Sequence, residues 1–285
     1  MGIGWQAYAA GPRPAGDSAS PSQAIAEKLI GKPLFLRGFW AADSLKFNAD
    51  GQPEISTQTL PFTESGIDVR SVHRDGDKLI IEGQRMALVF MPNDQIRRVA
   101  AKTGQYNGDV RVEIDGDATG DYTRALDAIF ASDLGALTPS LPPYWQDYAV
   151  RHFPGTRTDL QASDAGGKGT GTGKPLHVGG EVQPPTVLST YNPAFTELAT
   201  AQNFTGDVRL YLWFDSDGTV SHVSVAKPAG LGLDEAAVAA VKKYKFIPAT
   251  RGGDSVTVDL YLDVSFATLR PASGGVPIAG GWMRN

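Results

Sequence analysis

The last long apolar run constrains this chain most. From Val256 to Phe266, the apolar Val256, Val258, Leu260, Leu262, Val264 and Phe266 alternate without a fault with Thr257, Asp259, Tyr261, Asp263 and Ser265. A period of two puts every apolar side chain on one face of an extended strand. Such a strand needs a sheet neighbour and an apolar cover, and both lie upstream. Val208, Leu210, Leu212 and Phe214 alternate, Asp215-Ser216-Asp217-Gly218 turns the chain, and Val220, Val223 and Val225 return it, with Val220 out of phase. Leu233 to Lys245 reads as a helix, with Asp234 and Glu235 at its positive end and Lys242, Lys243 and Lys245 at its negative end. Val238, Val241 and Tyr244 share the face expected to cover the sheet. A shorter helix around Ala194 to Gln202 follows Asn192-Pro193. The order helix, hairpin, helix, long strand predicts a small antiparallel sheet covered by two helices.

The remainder is organised differently. A chain of 285 residues predicts two domains at roughly 100–200 residues each. Residues 1–19 read as a disordered lead-in rich in small residues, and 271–285 as a tail. Pro21 to Leu29 reads as a helix capped by Ser20 and stopped by Gly31, with Ile25, Leu29 and Ile30 on one face. Short extended segments follow at 34–36, 44–47, 67–69, 78–81, 86–90 and 110–114, with Asp50-Gly51 and Asp75-Gly76 as turns. They predict an antiparallel sheet or partial barrel. Two helices close this half, one carrying Tyr122, Leu126, Ile129 and Phe130 with Asp121 as cap, the other carrying Trp145, Tyr148, Ala149, His152 and Phe153 after Pro142-Pro143. The domain spans 20–154. Residues 155–180 read as a Gly-rich linker, because Gly166 to Lys174 fails as a phosphate loop: Lys168 takes the first Gly position and Pro175 the Ser/Thr position. The second domain spans 181–270, and the fold class is α+β with two domains.

Composition removes whole classes of function. The net charge is −5, which leaves no electrostatic footprint for nucleic acid. There is no Cys, hence no disulfide, thiolate metal site or cysteine nucleophile. No run reaches the roughly 18–20 apolar residues of a membrane span. At the start, Ala7-Tyr8-Ala9 fits a small-residue cleavage site, and it reads either as a tail of small residues or as the remainder of an export signal. The four His, at 73, 152, 177 and 222, have no metal-ligand spacing. Asp115 to Asp121 begins like a calcium loop, but its twelfth position is Leu126 rather than Glu. No nucleophile elbow occurs. The expectation is a non-enzymatic protein with no cofactor and no metal.

Residues 181–266 resemble the C-terminal domain of TonB-type energy transducers. The resemblance is carried by Pro184-Pro185, by Asn192-Pro193 followed by Phe195 to Ala199, by Gly206 to Leu212 with the Asp215 to Gly218 turn, and by Leu233 to Ala237. The block from Ala240 to Ala249 is the most diagnostic, with Tyr244 where the family commonly has Trp, and Val256 to Phe266 is the closing strand. Asn192 stands where the family has Tyr. The resemblance implies a periplasmic domain that takes a short peptide of an outer-membrane TonB-dependent transporter as an added strand beside the last strand. The edge it implicates is Val256, Thr257, Val258, Asp259, Leu260, Tyr261 and Leu262, with Asn192 and Pro193 as the family motif. Backbone pairing would give affinity with little demand on side chains. Membrane association is expected only through a segment preceding Met1 or through a partner. Two other readings stay open: a ligand-binding protein whose N-terminal domain holds the ligand, and an envelope scaffold.

Overall fold

The computed structural model describes residues 21–55, 58–93, 95–104, 106–117, 120–156 and 174–267. The lead-in with Ala7-Tyr8-Ala9, the stretch from Gly166 to Gly173 and the tail lie outside them. The N-terminal half runs α1 (Pro21–Leu29), β1 (Pro33–Leu36), β2 (Ser44–Phe47), β3 (Gly66–Asp75), β4 (Lys78–Phe90), β5 (Ile96–Ala100) and β6 (Asp109–Asp115). Helix α2 (Thr123–Ile129) leads into β7 (Phe130–Ala131), followed by α3 (Leu134–Leu137) and α4 (Pro143–His152). One seven-stranded sheet forms in the order β2-β6-β4-β3-β1-β7, with β5 beside β4. Its pairings are antiparallel except for β2 with β6.

Local patterning fails here in three places. The polar Glu82-Gly83-Gln84 predicts a break between two strands, yet β4 runs through it, because Val69 and Val110 pair with Gly83 from either side. Ile96-Arg97-Arg98-Val99 does not alternate, so its pattern predicts no strand; pairing with Met86–Phe90 makes it one. His152 and Ile30 are exposed rather than lying on the buried helix stripes, and His152 stacks on Tyr148 with ring centroids 4.3 Å apart.

The C-terminal half runs β8 (Leu176–His177), β9 (Val182–Gln183), β10 (Thr186–Ser189), α5 (Glu197–Ala201), β11 (Gly206–Phe214), β12 (Val220–Lys227), α6 (Leu233–Val241), β13 (Lys245–Ile247), β14 (Ala249–Arg251), β15 (Asp254–Val256) and β16 (Val258–Phe266). The principal sheet has the order β12-β11-β16-β8. β11 and β16 pair in unbroken antiparallel register from Gly206↔Phe266 to Phe214↔Val258. Val208, Leu210, Leu212, Phe214, Val258 and Leu262 are buried on one face, together with Ala237, Val238 and Val241 of α6, as the alternation predicts. The early Val220 is accounted for by a register shift between Trp213 and Phe214, which leaves Phe214 opposite Val220.

Two expectations change in this half. The alternation from Val256 predicts one strand, but the chain changes sheets at Thr257: Val256 pairs with Ala249 of β14, and only from Val258 does the chain join β11. The helix expected to reach Lys245 ends at Val241. Lys243 and Tyr244 donate to Ala240 and Val241 in tight terminal turns, and Phe246 then packs edge-on against Phe214 at 4.5 Å.

The halves share one apolar cluster, in which Phe62, Leu88, Phe90 and Trp145 meet Val225, Leu231 and Val238. Beyond the start of β3, the Ala229–Leu231 segment takes its place beside β4: Phe90 N–H donates to Ala229 O at 3.0 Å and Leu231 N–H to Leu88 O at 3.0 Å. Gly230, at φ 91, permits this approach, since a Cβ there would lie 2.1 Å from Leu88 O. Thr63 Oγ1 accepts the Gly232 N–H at 3.0 Å.

Candidate functional site

The sheet β12-β11-β16-β8 has two long outer strands with different surroundings. β12 is packed against α4 from the N-terminal half, and Ser224 Oγ donates to Asp147 Oδ2 at 3.2 Å. β16 is covered on its outer side only at its start, by β8, which pairs in parallel through Val258↔Leu176 and Asp259↔His177. Among the described residues no strand pairs with the outer side from Leu260 to Phe266.

The direction of the backbone groups follows from one bond. Leu176 N–H donates to Thr257 O at 2.9 Å, so the polar backbone groups of odd-numbered residues point away from β11. Asp259 is engaged with β8, while the N–H and C=O groups of Tyr261, Asp263 and Ser265 face outward. Those of Leu260, Leu262 and Val264 serve the ladder with β11.

Side chains of the odd residues form the polar face. Arg209 grips Asp263 in a two-pronged pair at 2.7 and 2.8 Å. Tyr211 donates to Asp259 Oδ2 at 2.7 Å, and Trp213 Nε1 donates to the Tyr211 hydroxyl at 3.1 Å. Burial, and then the bond to Asp259, push the Tyr211 hydroxyl up to about 12, so it stays a neutral donor. Tyr261 lies 5.3 Å from Tyr211, ring to ring, and is 40% exposed. A cleft of about 880 Å³ lies over this face, between Arg151 of α4 and His177 of β8, with Arg209, Tyr211 and Tyr261 among its lining. Its lining combines charged groups, among them Asp147, Arg151 and Lys227, with the two tyrosines. Among the described residues no group of three or more His, Asp or Glu could hold a metal ion.

The predicted edge residues are divided by this geometry. Val256 belongs to another sheet, Thr257 bridges to β8, and Val258 and Asp259 already have partners on both sides. Leu260, Tyr261 and Leu262 lie on the open stretch, which continues to Phe266. Asp259, expected on the wet face, is 8% exposed. Asn192 and Pro193 precede α5, whose cap is Thr196, with its hydroxyl accepting Ala199 N–H at 3.1 Å. Sequence reasoning passed over Tyr211, Trp213 and His177. The first two carried a signal: Arg209, Tyr211 and Trp213 occupy the second face of the alternating β11, and aromatics on a nominally wet face are uncommon there. His177 carried none.

A separate cavity of about 220 Å³ lies between the halves, lined by Leu60, Glu64, Arg85 and Tyr106 of the first and Leu198 of the second, among others. Burial, reinforced by the charge of Glu235 and opposed by Arg85, pushes the Glu64 carboxyl up to about 7. Arg85 is 1% exposed and donates to the Tyr106 hydroxyl at 3.1 Å and to Ala42 O at 3.2 Å.

The C-terminal half is thus a small antiparallel sheet with a helix on its dry face and an open edge strand. Residues 191–268 match the family model described as Gram-negative bacterial TonB protein C-terminal, and this part of the chain is a TonB C-terminal domain. The solution NMR structure of the Pseudomonas aeruginosa TonB C-terminal domain is 20% identical, with 32% of this chain and 91% of that chain covered and a TM-score of 0.26. No curated protein matches the chain. No helix among the described residues is long and apolar enough to cross a membrane.

Proposed function

We propose that the C-terminal domain is a periplasmic, non-enzymatic module that takes a peptide of an outer-membrane TonB-dependent transporter as an added strand on the outer side of β16, in the service of energised uptake. One observation carries this reading: of the two long outer strands, β12 is packed against α4, whereas β16 is open from Leu260 to Phe266 among the described residues. An open edge offers a row of unpaired donors and acceptors to any extended chain. The division into a strand-rich domain over 20–154 and a TonB-like domain over 181–270 belongs to this reading. The test is titration of the full chain with synthetic peptides from the periplasmic N-termini of outer-membrane transporters. Saturable binding that protects the Tyr261, Asp263 and Ser265 amides from exchange supports it; binding that leaves those amides unprotected refutes it.

The second reading, an N-terminal half that holds a ligand, draws on the cavity beside Glu64 and Arg85. That cavity is small and of mixed lining, with Glu64 and Arg85 beside Leu60, Ala101 and Leu198, whereas an apolar ligand would call for a larger one. Binding of a small carboxylic acid such as benzoate, lost when Leu60→Trp fills the space, would favour it over the first.

A further inference from the structure

The edge of β16 is occupied at its beginning by the chain itself. Leu176 and His177 pair in parallel with Val258 and Asp259, and His177 Nδ1 stands 2.6 Å from Asp259 Oδ1. The two partners in this contact are unequal. The Asp259 side chain is 7% exposed and its other oxygen accepts from Tyr211, a bond within the sheet that does not involve β8. The His177 side chain is 89% exposed and lies over it from outside. Past His177 the chain leaves the edge through Gly179 and Gly180, at φ 140 and 56, towards β9.

We propose that Leu176–His177 is an intramolecular competitor for the partner strand: it fills the first pairing positions of the accepting edge, and a partner that pairs along the whole edge displaces it. The proposal rests on the reading of β16 as that edge. It also specifies the partner. A strand that replaces β8 leaves the buried Asp259 carboxylate without the imidazole, so the partner's residue there carries a cation or another hydrogen-bond donor. What holds β8 is a two-residue pairing, the half-buried Leu176 side chain against the apolar cluster, and the contact of an exposed imidazole with Asp259, each modest on its own. The competitor is therefore displaceable. It lowers the apparent affinity by the fraction of molecules whose edge is open.

The test uses the full chain and two variants. Leu176→Pro removes the amide that donates to Thr257, and His177→Ala removes the pair with Asp259. His177 is exposed and Leu176 is half-buried against the apolar cluster, and unchanged thermal melts establish that the variants fold. Each is titrated with a transporter N-terminal peptide carrying lysine at the position opposite Asp259. The expected result is binding roughly three- to thirtyfold tighter than that of the unaltered chain, with the Leu176 amide of the unaltered chain exchanging faster once peptide saturates it. Equal or weaker affinity in both variants, while the unaltered chain binds, overturns the competition and leaves the transporter reading standing. Absence of binding in all three overturns that reading and the competition with it.

Discussion

Trp145 of α4 donates its indole N–H to Glu235 Oε1 of α6 at 2.9 Å, across the contact between the two halves of the chain. The ring is fully buried, with Phe62 edge-on at 4.6 Å and Phe90 stacked at 5.9 Å. The other Glu235 oxygen has no hydrogen-bond partner among the described residues, and burial pushes its carboxyl above the ordinary carboxylate range. Trp145→Phe keeps most of the packing but strips the carboxyl of its donor. The expected cost is about 1–3 kcal/mol, read as a lower melting temperature. Trp145→Phe combined with Glu235→Leu is expected to recover part of it, because neither polar partner is then left alone.

The shared cluster has a consequence for cutting the chain. A protease site engineered between Thr156 and Lys174 is expected to yield two fragments that still co-elute on gel filtration, since separation would expose Leu88, Phe90, Trp145 and Leu231. Fragments eluting apart under native conditions would show that the halves do not depend on this contact.

Glu64 predicts a pH dependence. Its carboxyl is raised from 4.5 to about 7 in the folded chain. Below the unfolded value it is neutral in both states and carries no penalty. As pH rises towards the folded value, the unfolded chain ionises first, so folding stability falls across this window, by up to about 3 kcal/mol at 1.36 kcal/mol per unit. Glu64→Gln is expected to flatten that slope, matching the unaltered chain near pH 4.5 and exceeding it at pH 8 in denaturant titrations. A slope that survives the substitution would assign the effect elsewhere.

Glycine substitutions separate local strain from tertiary crowding. Gly76→Ala, at φ 64 with open space around its would-be Cβ, is expected to cost about 1 kcal/mol. Gly230→Ala adds a collision with Leu88 O to a comparable strain at φ 91, and is expected to cost at least about 3 kcal/mol. Thermal melts of the two variants give the comparison.

Proline along β16 separates fold from binding. Leu262→Pro deletes a donor used in the ladder with β11 and is expected to unfold the C-terminal sheet. Tyr261→Pro deletes an outward donor, so it is expected to leave the melting temperature much less altered while weakening peptide binding at least tenfold. Melts and peptide titrations on both variants check this. Retained binding by a folded Tyr261→Pro protein would contradict edge addition.

Much of the C-terminal half was legible locally. Alternation placed Val208 to Phe214 and Val258 to Phe266 on the core face, and the spacing of Val238 and Val241 oriented α6 correctly. The site was legible only in part. Leu260 to Leu262 fall on the open edge, whereas Val256 and Thr257 do not, because a strand's side-chain pattern continues unchanged through a point where its backbone changes partners. Asp259 looked like a wet-face residue because period-two patterning identifies a face without saying what covers it; Tyr211 and His177 cover it.

The sequence by itself determined the long strands of the C-terminal half, which of their faces are apolar and which family residues 181–266 resemble, since these depend on periodicity and on order along the chain. Tertiary structure alone decided that β4 runs unbroken through Gly83, that Ala229–Leu231 completes the N-terminal sheet, that α4 packs against one outer strand and that Leu176–His177 covers the start of the other. The physical reason is the same each time. Backbone hydrogen bonds carry no side-chain identity, so which strand meets which, and which edge stays open, is settled by packing between segments far apart in sequence.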